Sequence, residues 1–421
     1  MHILILTPAY HPQIHPRAHR WTALAEHWAA QGHRVRVVCA RKQGFRAQEV
    51  YNGVQVYRCG FESLQAVLYF AWPDVQRRGR VGEQPGKSGL LRRMAEWIYQ
   101  SIWKQIYFPD DALFWIRPAE RLSRRLVEEA APDVVISVSL PFSAHVAGLF
   151  LKRRYPSLHW LADIGDPYAI QCPALFNRHL YSRLARKLEK KVLETADQVV
   201  VTNPALREAL LAHYQPSYPE RIRVIPPLLR HLPTAVPYRP VPGKIRLVYA
   251  GSLYPGLREP REVLHWLDSV LKMKPDWQNA LELHWYGDIA PEFYTLLASR
   301  PWIQLLGLRP REEVQCAMAG ADLLVHIGNR STFQLPSKVV DYLAAGRPVL
   351  HFQYADPDPF VDFWPLPDNL FVISNADTAR QNLDDAIRFI ENTPMNTPEE
   401  NVSDSLQQWL PDHLGDIYLD I

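Results

Sequence analysis

Lys338 and Asp341 stand three residues apart in the stretch LPSKVVDYLAAGRPVL (335–350). On a helix that spacing puts them on one face. Pro336 suits a first helical turn, where its missing N–H costs nothing. Gly346 suits the left-handed cap just past a helix end. The stretch therefore reads as a helix followed by a buried strand. Free N–H groups at a helix N-terminus, joined by an ammonium, attract a diphosphate. A carboxylate on the same face can accept hydrogen bonds from two ribose hydroxyls. The pattern admits nucleotide binding, and spacing alone admits an ordinary surface helix equally well.

Two other stretches carry residues with chemical potential. YAGSLYPGLREPREVL (249–264) reads as a strand ending at Gly251 and Ser252, with Arg258 in the loop that follows. A small residue there lets the backbone approach a phosphate. LADIGDPYAIQC (161–172) places Asp163 and Asp166 at the C-terminal end of a predicted strand, where α/β sheets hold ligands. Asp166 is a candidate site acid, or else a residue that caps the next helix or pins the turn at Pro167.

Apolar runs alternate with helical patterns along the chain, which argues for parallel sheets covered by helices. In the first half the strand candidates are 2–7, 34–39, 133–138, 159–163, 198–202 and 221–226, with a helix from about Arg17 to Gln31 ended by Gly32. The proline-rich run 225–243 reads as an inter-domain linker, since proline suits neither a helix interior nor a central strand. The pattern then restarts, with strand candidates 245–251, 281–287, 302–307, 322–328 and 348–353. The expected organisation is a domain over 1–230, a second over 231–394 and a C-terminal segment over 395–421.

The 421 residues suit two or three domains at roughly 150 residues each. A net charge of +3 implies no general affinity for nucleic acid. Cys39, Cys59, Cys172 and Cys316 are scattered, without metal-ligand spacing, and fit a reducing compartment. His2, His11, His15 and His19 lie on strand, loop and helix without a ligand pattern, so no metal is expected. The start MHILILTPAY lacks a basic region and a long apolar core, and reads as a first buried strand. No apolar run reaches the roughly 20 residues of a membrane span, so a cytoplasmic protein is expected. LLRRMAEWIYQSIWKQIYF (90–108), flanked by basic residues and carrying Trp97 and Trp103, reads as a packed helix or as an interfacial helix on anionic lipid. The packed helix is preferred, because the charge bias is modest.

The 335–350 stretch resembles the donor-site helix of family 4 glycosyltransferases, in which a carboxylate precedes a small-residue run and Gly-x-Pro. Asp341, Leu343, Ala344, Ala345, Gly346 and Pro348 match it. The resemblance extends over most of the chain. Arg258 and Lys338 match the family's two diphosphate-neutralising cations. Asp163, Asp166 and Pro167, with Ser143, Ala144 and His145 upstream, match a motif of bacterial relatives. Pro16 and Arg17 match a first loop that covers the donor phosphates. The resemblance implies an α/β GT-B fold, with two Rossmann-like doubly wound domains facing across a cleft. It further implies a retaining transferase that moves a sugar from a nucleotide-diphospho-sugar to a saccharide or lipid-linked acceptor of a bacterial surface polysaccharide, without a metal or other cofactor. Catalytic roles would fall to Asp166, Arg258 and Lys338. Donor contacts would fall to Gly251, Ser252, Gly287, Leu308, Arg309, Asp341, Pro16 and Arg17.

Two departures stand out. Phe333 occupies the position of the family's first glutamate, as in a Pro-Ser-Lys sub-branch. Gly165 occupies the place of an arginine, which removes a basic group from the acceptor side. Both leave room for a non-catalytic nucleotide-sugar-binding scaffold, and an epimerase on the same fold is a further rival. Asp356-Pro-Asp358 is a formal Asp-x-Asp, but it sits in a proline-laced loop and reads as loop structure.

Overall fold

The computed structural model describes residues 1–13, 15–64, 66, 106–170, 178–232, 241–253, 255–256, 258–374, 380–392 and 406–420. Two compact units emerge. One comprises Met1–Pro226 with Gly415–Ile421, and the other Pro227–Leu414. The divisions thus fall at 226/227 and 414/415, against expected boundaries at 230/231 and 394/395.

The first unit is built on an eight-stranded sheet. Its strands are β1 (His2–Leu6), β2 (Arg34–Cys39), β3 (Gln48–Tyr51), β4 (Val54–Arg58), β5 (Val134–Ser139), β6 (Trp160–Ile164), β7 (Gln198–Val201) and β8 (Ile222–Val224). They lie in the order β3-β4-β2-β1-β5-β6-β7-β8. Only β3 and β4 pair antiparallel. Strands β1, β2, β5 and β6 are almost wholly buried, which is why they read as continuous apolar runs. The helix Pro16–Ala30 links β1 to β2, with Pro16 in its first turn and His15 capping it by accepting from the Arg17 amide. Its buried face is Trp21, Leu24, Ala25 and Trp28.

The second unit has a six-stranded, all-parallel sheet. Its strands are β9 (Ile245–Ala250), β10 (Leu281–Tyr286), β11 (Ile303–Gly307), β12 (Leu323–Ile327), β13 (Val349–Gln353) and β14 (Leu370–Ser374). The order is β11-β10-β9-β12-β13-β14. Strand order reverses between β9 and β12, and a ligand crevice opens beyond the carboxyl ends of strands at such a switch point. The loops that leave β9 and β12 carry Arg258 and Asn329.

The structure corrects the expected helix at 336. Pro336 lies in a preceding turn, whose carbonyl accepts from the Val339 amide at 3.0 Å. The helix runs Val339–Ala345, with Lys338 at its N-cap and Gly346 left-handed (φ 62°) past its end. The β3–β4 hairpin and β14 lie outside the apolar runs that mark strands in the sequence. Of the 90–108 stretch only Ile106, Tyr107 and Phe108 are described. Trp72, Trp97, Trp103 and Cys172 lie outside the described residues. Among the described residues no helix is long and apolar enough to cross a membrane.

The last helix, Pro411–Leu419, ends in the first unit's core. Tyr418 is fully buried, its ring 5.3 Å from Trp21 and 6.2 Å from Trp28. Trp28 Nε1 donates to the Gly415 carbonyl at 3.3 Å. Burying one aromatic side chain contributes about 1.5–3 kcal/mol.

Candidate functional site

In the second unit, Gly251 and Gly287 end β9 and β10 against each other. A Cβ on Gly287, whose φ is +135°, would lie 2.1 Å from the Gly251 carbonyl oxygen. Close backbone packing explains Gly287, while a Cβ on Gly251 would lie 2.6 Å from the Tyr249 hydroxyl. Ser252 Oγ accepts from the Asp288 amide at 3.2 Å. Arg258 Nη2 donates to Asn329 Oδ1 at 2.7 Å, and Asn329 Nδ2 holds the Gln334 carbonyl at 3.3 Å. Asn329, missed in the sequence, therefore fixes Arg258.

Lys338 forms no hydrogen bond or ion pair among the described residues. Burial pushes its pKa below the ordinary lysine value; Asp341 pulls it back up, while Arg258 and Arg311 push it further down. Four charged groups thus act on one another here, three cations and one carboxylate. Asp341 Oδ1 accepts from Arg311 Nη2 at 2.6 Å and from Gln315 Nε2 at 3.2 Å. Its Oδ2 receives no hydrogen bond from the described residues, which leaves it for a ligand hydroxyl.

Arg309 Nε donates to the Leu306 carbonyl at 2.9 Å and lies 3.7 Å from Glu313. Leu308 beside it is 71% exposed. The residue that reaches Asp341 is Arg311. Arg311 and Gln315 are four apart on the helix Arg311–Ala319, a spacing that would have revealed a polar pair on one face. Phe333 is buried.

The first unit has its own charged cluster. Asp163, in β6, is buried, and Asp166 lies just past the strand end. Arg17 Nη2 bonds Asp166 Oδ2 at 3.1 Å, and Nη1 lies 3.9 Å from Asp163 Oδ1. Tyr418 Oη donates to Asp163 Oδ2 at 2.5 Å and accepts from Arg20 Nη2 at 2.8 Å. A Cβ on Gly165 would lie 1.5 Å from Arg17 Nη2. The space over Gly165 is therefore filled by a guanidinium from another element. The expectation that Gly165 removes a basic group is overturned, because Arg17 supplies one. Ser143 and His145 have structural partners. Ser143 bonds Asp110 through its amide (2.8 Å) and hydroxyl (2.6 Å). His145 Nδ1 pairs with Ser137 Oγ at 2.7 Å, and burial pushes the His145 pKa down to about 3.

Residues 18–227, which contain Asp163, Gly165 and Asp166 and end one residue past the first unit's main segment, match the family model described as a glycosyl transferase 4-like domain. This segment is similar to a glycosyl transferase 4-like domain. No curated protein matches the chain by sequence. Solved structures match it over nearly its full length. Sucrose-phosphate synthase from Thermosynechococcus elongatus is 14% identical with a TM-score of 0.64, the match covering 99% of this chain and 96% of that one. Anabaena HepE in complex with UDP is 14% identical, with a TM-score of 0.60 and coverage of 100% and 99%. The catalytic domain of starch synthase IV from Arabidopsis thaliana, bound to ADP and acarbose, is 10% identical, with a TM-score of 0.60 and coverage of 100% and 98%. The fold is thus the α/β, two-domain Rossmann-like GT-B fold. The first unit supplies the Arg17–Asp166 cluster, and the second unit supplies the Arg258–Lys338–Asp341 cluster. Among the described residues no group of three or more His, Cys, Asp or Glu side chains is placed to hold a metal ion.

Proposed function

We propose that the protein is a retaining glycosyltransferase. The second unit binds a nucleoside-diphospho-sugar, and the glycosyl transferase 4-like domain binds a saccharide or lipid-linked saccharide acceptor. The observation that carries this reading is the charge around Lys338. Three cations act with one carboxylate, a surplus of two positive charges among these four groups. The diphosphate of a sugar nucleotide carries two negative charges and fits that surplus. The ADP and UDP bound to proteins of the same fold support the ligand class.

The chemistry follows from the charges. As the bond from the sugar's anomeric carbon to the diphosphate breaks, negative charge grows on the leaving oxygen, where Arg258 and Lys338 stabilise it. The acceptor hydroxyl attacks from the same face and passes its proton to the departing diphosphate. Asp341 holds the ribose through Oδ2. Asp166, steadied by Arg17, orients the acceptor. No metal or other cofactor enters the scheme. Retention rests on the family resemblance.

An acceptor carried at an anionic membrane surface suits one feature of the first unit. The helix Arg178–Thr195 exposes Leu180 (66%) and Leu184 (48%) among exposed Arg183, Arg186, Lys187, Lys190 and Lys191. Contact of this kind would be peripheral, at the cytoplasmic face. Anionic liposomes should sediment the protein at low salt and release it at 1 M salt, where screening shortens to about 3 Å.

A thermal-shift screen of UDP-, ADP-, GDP- and dTDP-sugars tests the main reading. A ligand at a hundred times its Kd adds about 2.7 kcal/mol of stability. Stabilisation by one of them, followed by release of the nucleoside diphosphate only when an acceptor extract is present, is expected. Binding without release would mark a scaffold, release without acceptor an acceptor-independent enzyme such as an epimerase, and no stabilisation by any would sink the donor site.

A further inference from the structure

Beside Arg258 and Lys338 runs a buried file of three side chains. His326 on β12 and His351 on β13 are register partners in the sheet. Their Nδ1 atoms lie 2.8 Å apart. His351 Nε2 lies 2.9 Å from Asp358 Oδ2, and Asp358 Oδ1 accepts from the Phe360 amide at 2.8 Å. All three side chains are buried. Phe360 stacks on both imidazoles, at 3.9 and 4.6 Å. The rings are therefore held in place. Tyr342 faces His326 edge-on from the Val339–Ala345 helix, its hydroxyl donating to the Val325 carbonyl at 2.7 Å. Lys338 at that helix's N-cap and Arg258 from the loop after β9 are the cations whose charges reach His326. Asp358 is the acid of the file. Nothing among the described residues hydrogen-bonds His326 Nε2.

Two facing Nδ1 atoms at hydrogen-bond distance share one proton. The Asp358 carboxylate takes the N–H of His351 Nε2. With both rings neutral, His351 Nδ1 is then bare, His326 Nδ1 carries the proton, and His326 Nε2 offers a lone pair. One added proton reverses the file. His351 becomes the cation and donates both ways, to Asp358 and to His326 Nδ1. His326 stays neutral and carries its proton on Nε2. The charge then sits against Asp358 instead of beside Arg258 and Lys338. Burial, reinforced by the charges of His351, Arg258 and Lys338, drives the His326 pKa well below the ordinary imidazole value, so His326 itself does not hold the cation.

We propose that this file is a proton-coupled contact of the diphosphate site: an anion held by Arg258 and Lys338 draws one solvent proton onto His351, and His326 Nε2 changes from acceptor to donor toward that anion. The proposal rests on the donor-site reading above. It makes His326 a ligand contact and His351 and Asp358 positioning residues.

Proton counting tests it. The probes are UDP-, ADP-, GDP- and dTDP-glucose, whose diphosphate diesters have no proton to exchange near neutrality. Calorimetric titration at pH 7.5 in buffers of different ionisation enthalpy gives the protons taken up per ligand bound. The wild type should take up between half a proton and one. Asp358→Asn keeps the cap to Phe360 but offers an amide N–H to His351 Nε2, which forces His326 Nε2–H permanently. It should bind the same nucleotide with uptake near zero. Histidine ¹⁵N spectra of the wild type give a second readout, with the His326 Nε2 signal moving from bare to protonated on ligand addition. Binding with no uptake and no tautomer change overturns the proposal alone. Uptake that persists in Asp358→Asn assigns the proton to Lys338 and also overturns it. Failure of all four probes to bind overturns the donor site itself, and this inference with it.

Discussion

The two units place charged side chains at the ends of parallel strands, yet they balance them differently. In the first, Arg17 and Arg20 meet Asp163 and Asp166, with Tyr418 between Arg20 and Asp163. Charge is matched within the protein, and a ligand has only to borrow from a standing pair. In the second, Arg258, Arg311 and Lys338 meet Asp341, and Lys338 is half-buried with no hydrogen bond or ion pair among the described residues. An uncompensated buried charge is costly, so the second cluster stores a demand for an anion. Removing a cation should therefore damage the first unit's fold and the second unit's binding.

Lys338→Ala gives the sharpest test of that contrast. Nucleoside-diphosphate affinity should fall by about 1.5–3 kcal/mol, the range for hydrogen bonds to charged groups. The melting temperature should hold or rise, because a half-buried cation with no hydrogen bond or ion pair among the described residues is gone. Calorimetric binding and thermal unfolding on one preparation read both, and a lower melting temperature would show that Lys338 is structural. The wild-type affinity should also decline as pH rises, since the lowered pKa of Lys338 means that its charge is lost earlier than in an ordinary lysine.

Gly165→Ala probes the opposite case. Its Cβ would sit where Arg17 places its guanidinium, so the arginine must leave and the pair with Asp166 breaks. Stability should fall by about 1–3 kcal/mol, as for a buried group losing its partner. Arg17→Ala should cost a similar amount, and the double variant should cost little more than either single one. Additive losses would show that the glycine and the arginine are independent.

Asp166→Asn should bind donor normally and turn over at least about tenfold slower, worth roughly 1.4 kcal/mol. Unchanged specific activity with lower stability would remove Asp166 from the chemistry. The smallest effect is expected at Asp341→Asn, which keeps the shape and loses the charge. Ribonucleotide affinity should fall by about 1 kcal/mol, with less change for the 2′-deoxy analogue. Equal losses for both would end the ribose assignment.

Buried parallel strands were the most legible part of the sequence, because a strand covered on both faces must be a continuous apolar run. Eleven runs read this way are strands in the structure, with ends shifted by no more than two residues. The β3–β4 hairpin escaped notice because its outer strand alternates with polar residues, although Asn52-Gly53 marks its turn with two positive φ angles. Strand β14 is only partly buried. At the site, Lys338, Asp341 and Arg258 were legible from local spacing. Arg17 over Gly165 was not, since the two residues meet only through tertiary packing. The His326–His351–Asp358 file was hidden for the same reason. Its members sit on two strands and a helix cap, and each looks ordinary in its own segment.

The seat of Tyr418 bears on the order in which the chain is made. The first 226 residues leave the ribosome early, but the ring that fills the space beside Trp21 and Trp28, and the hydroxyl that answers Asp163, belong to residues 415–421. Residues 227–414 must be synthesised in between. At about 5–20 residues per second that is a wait of roughly 10–40 seconds. During it the first unit stands with an open slot and an acid short of one donor. The first unit is closed by a segment translated only after the whole of the second.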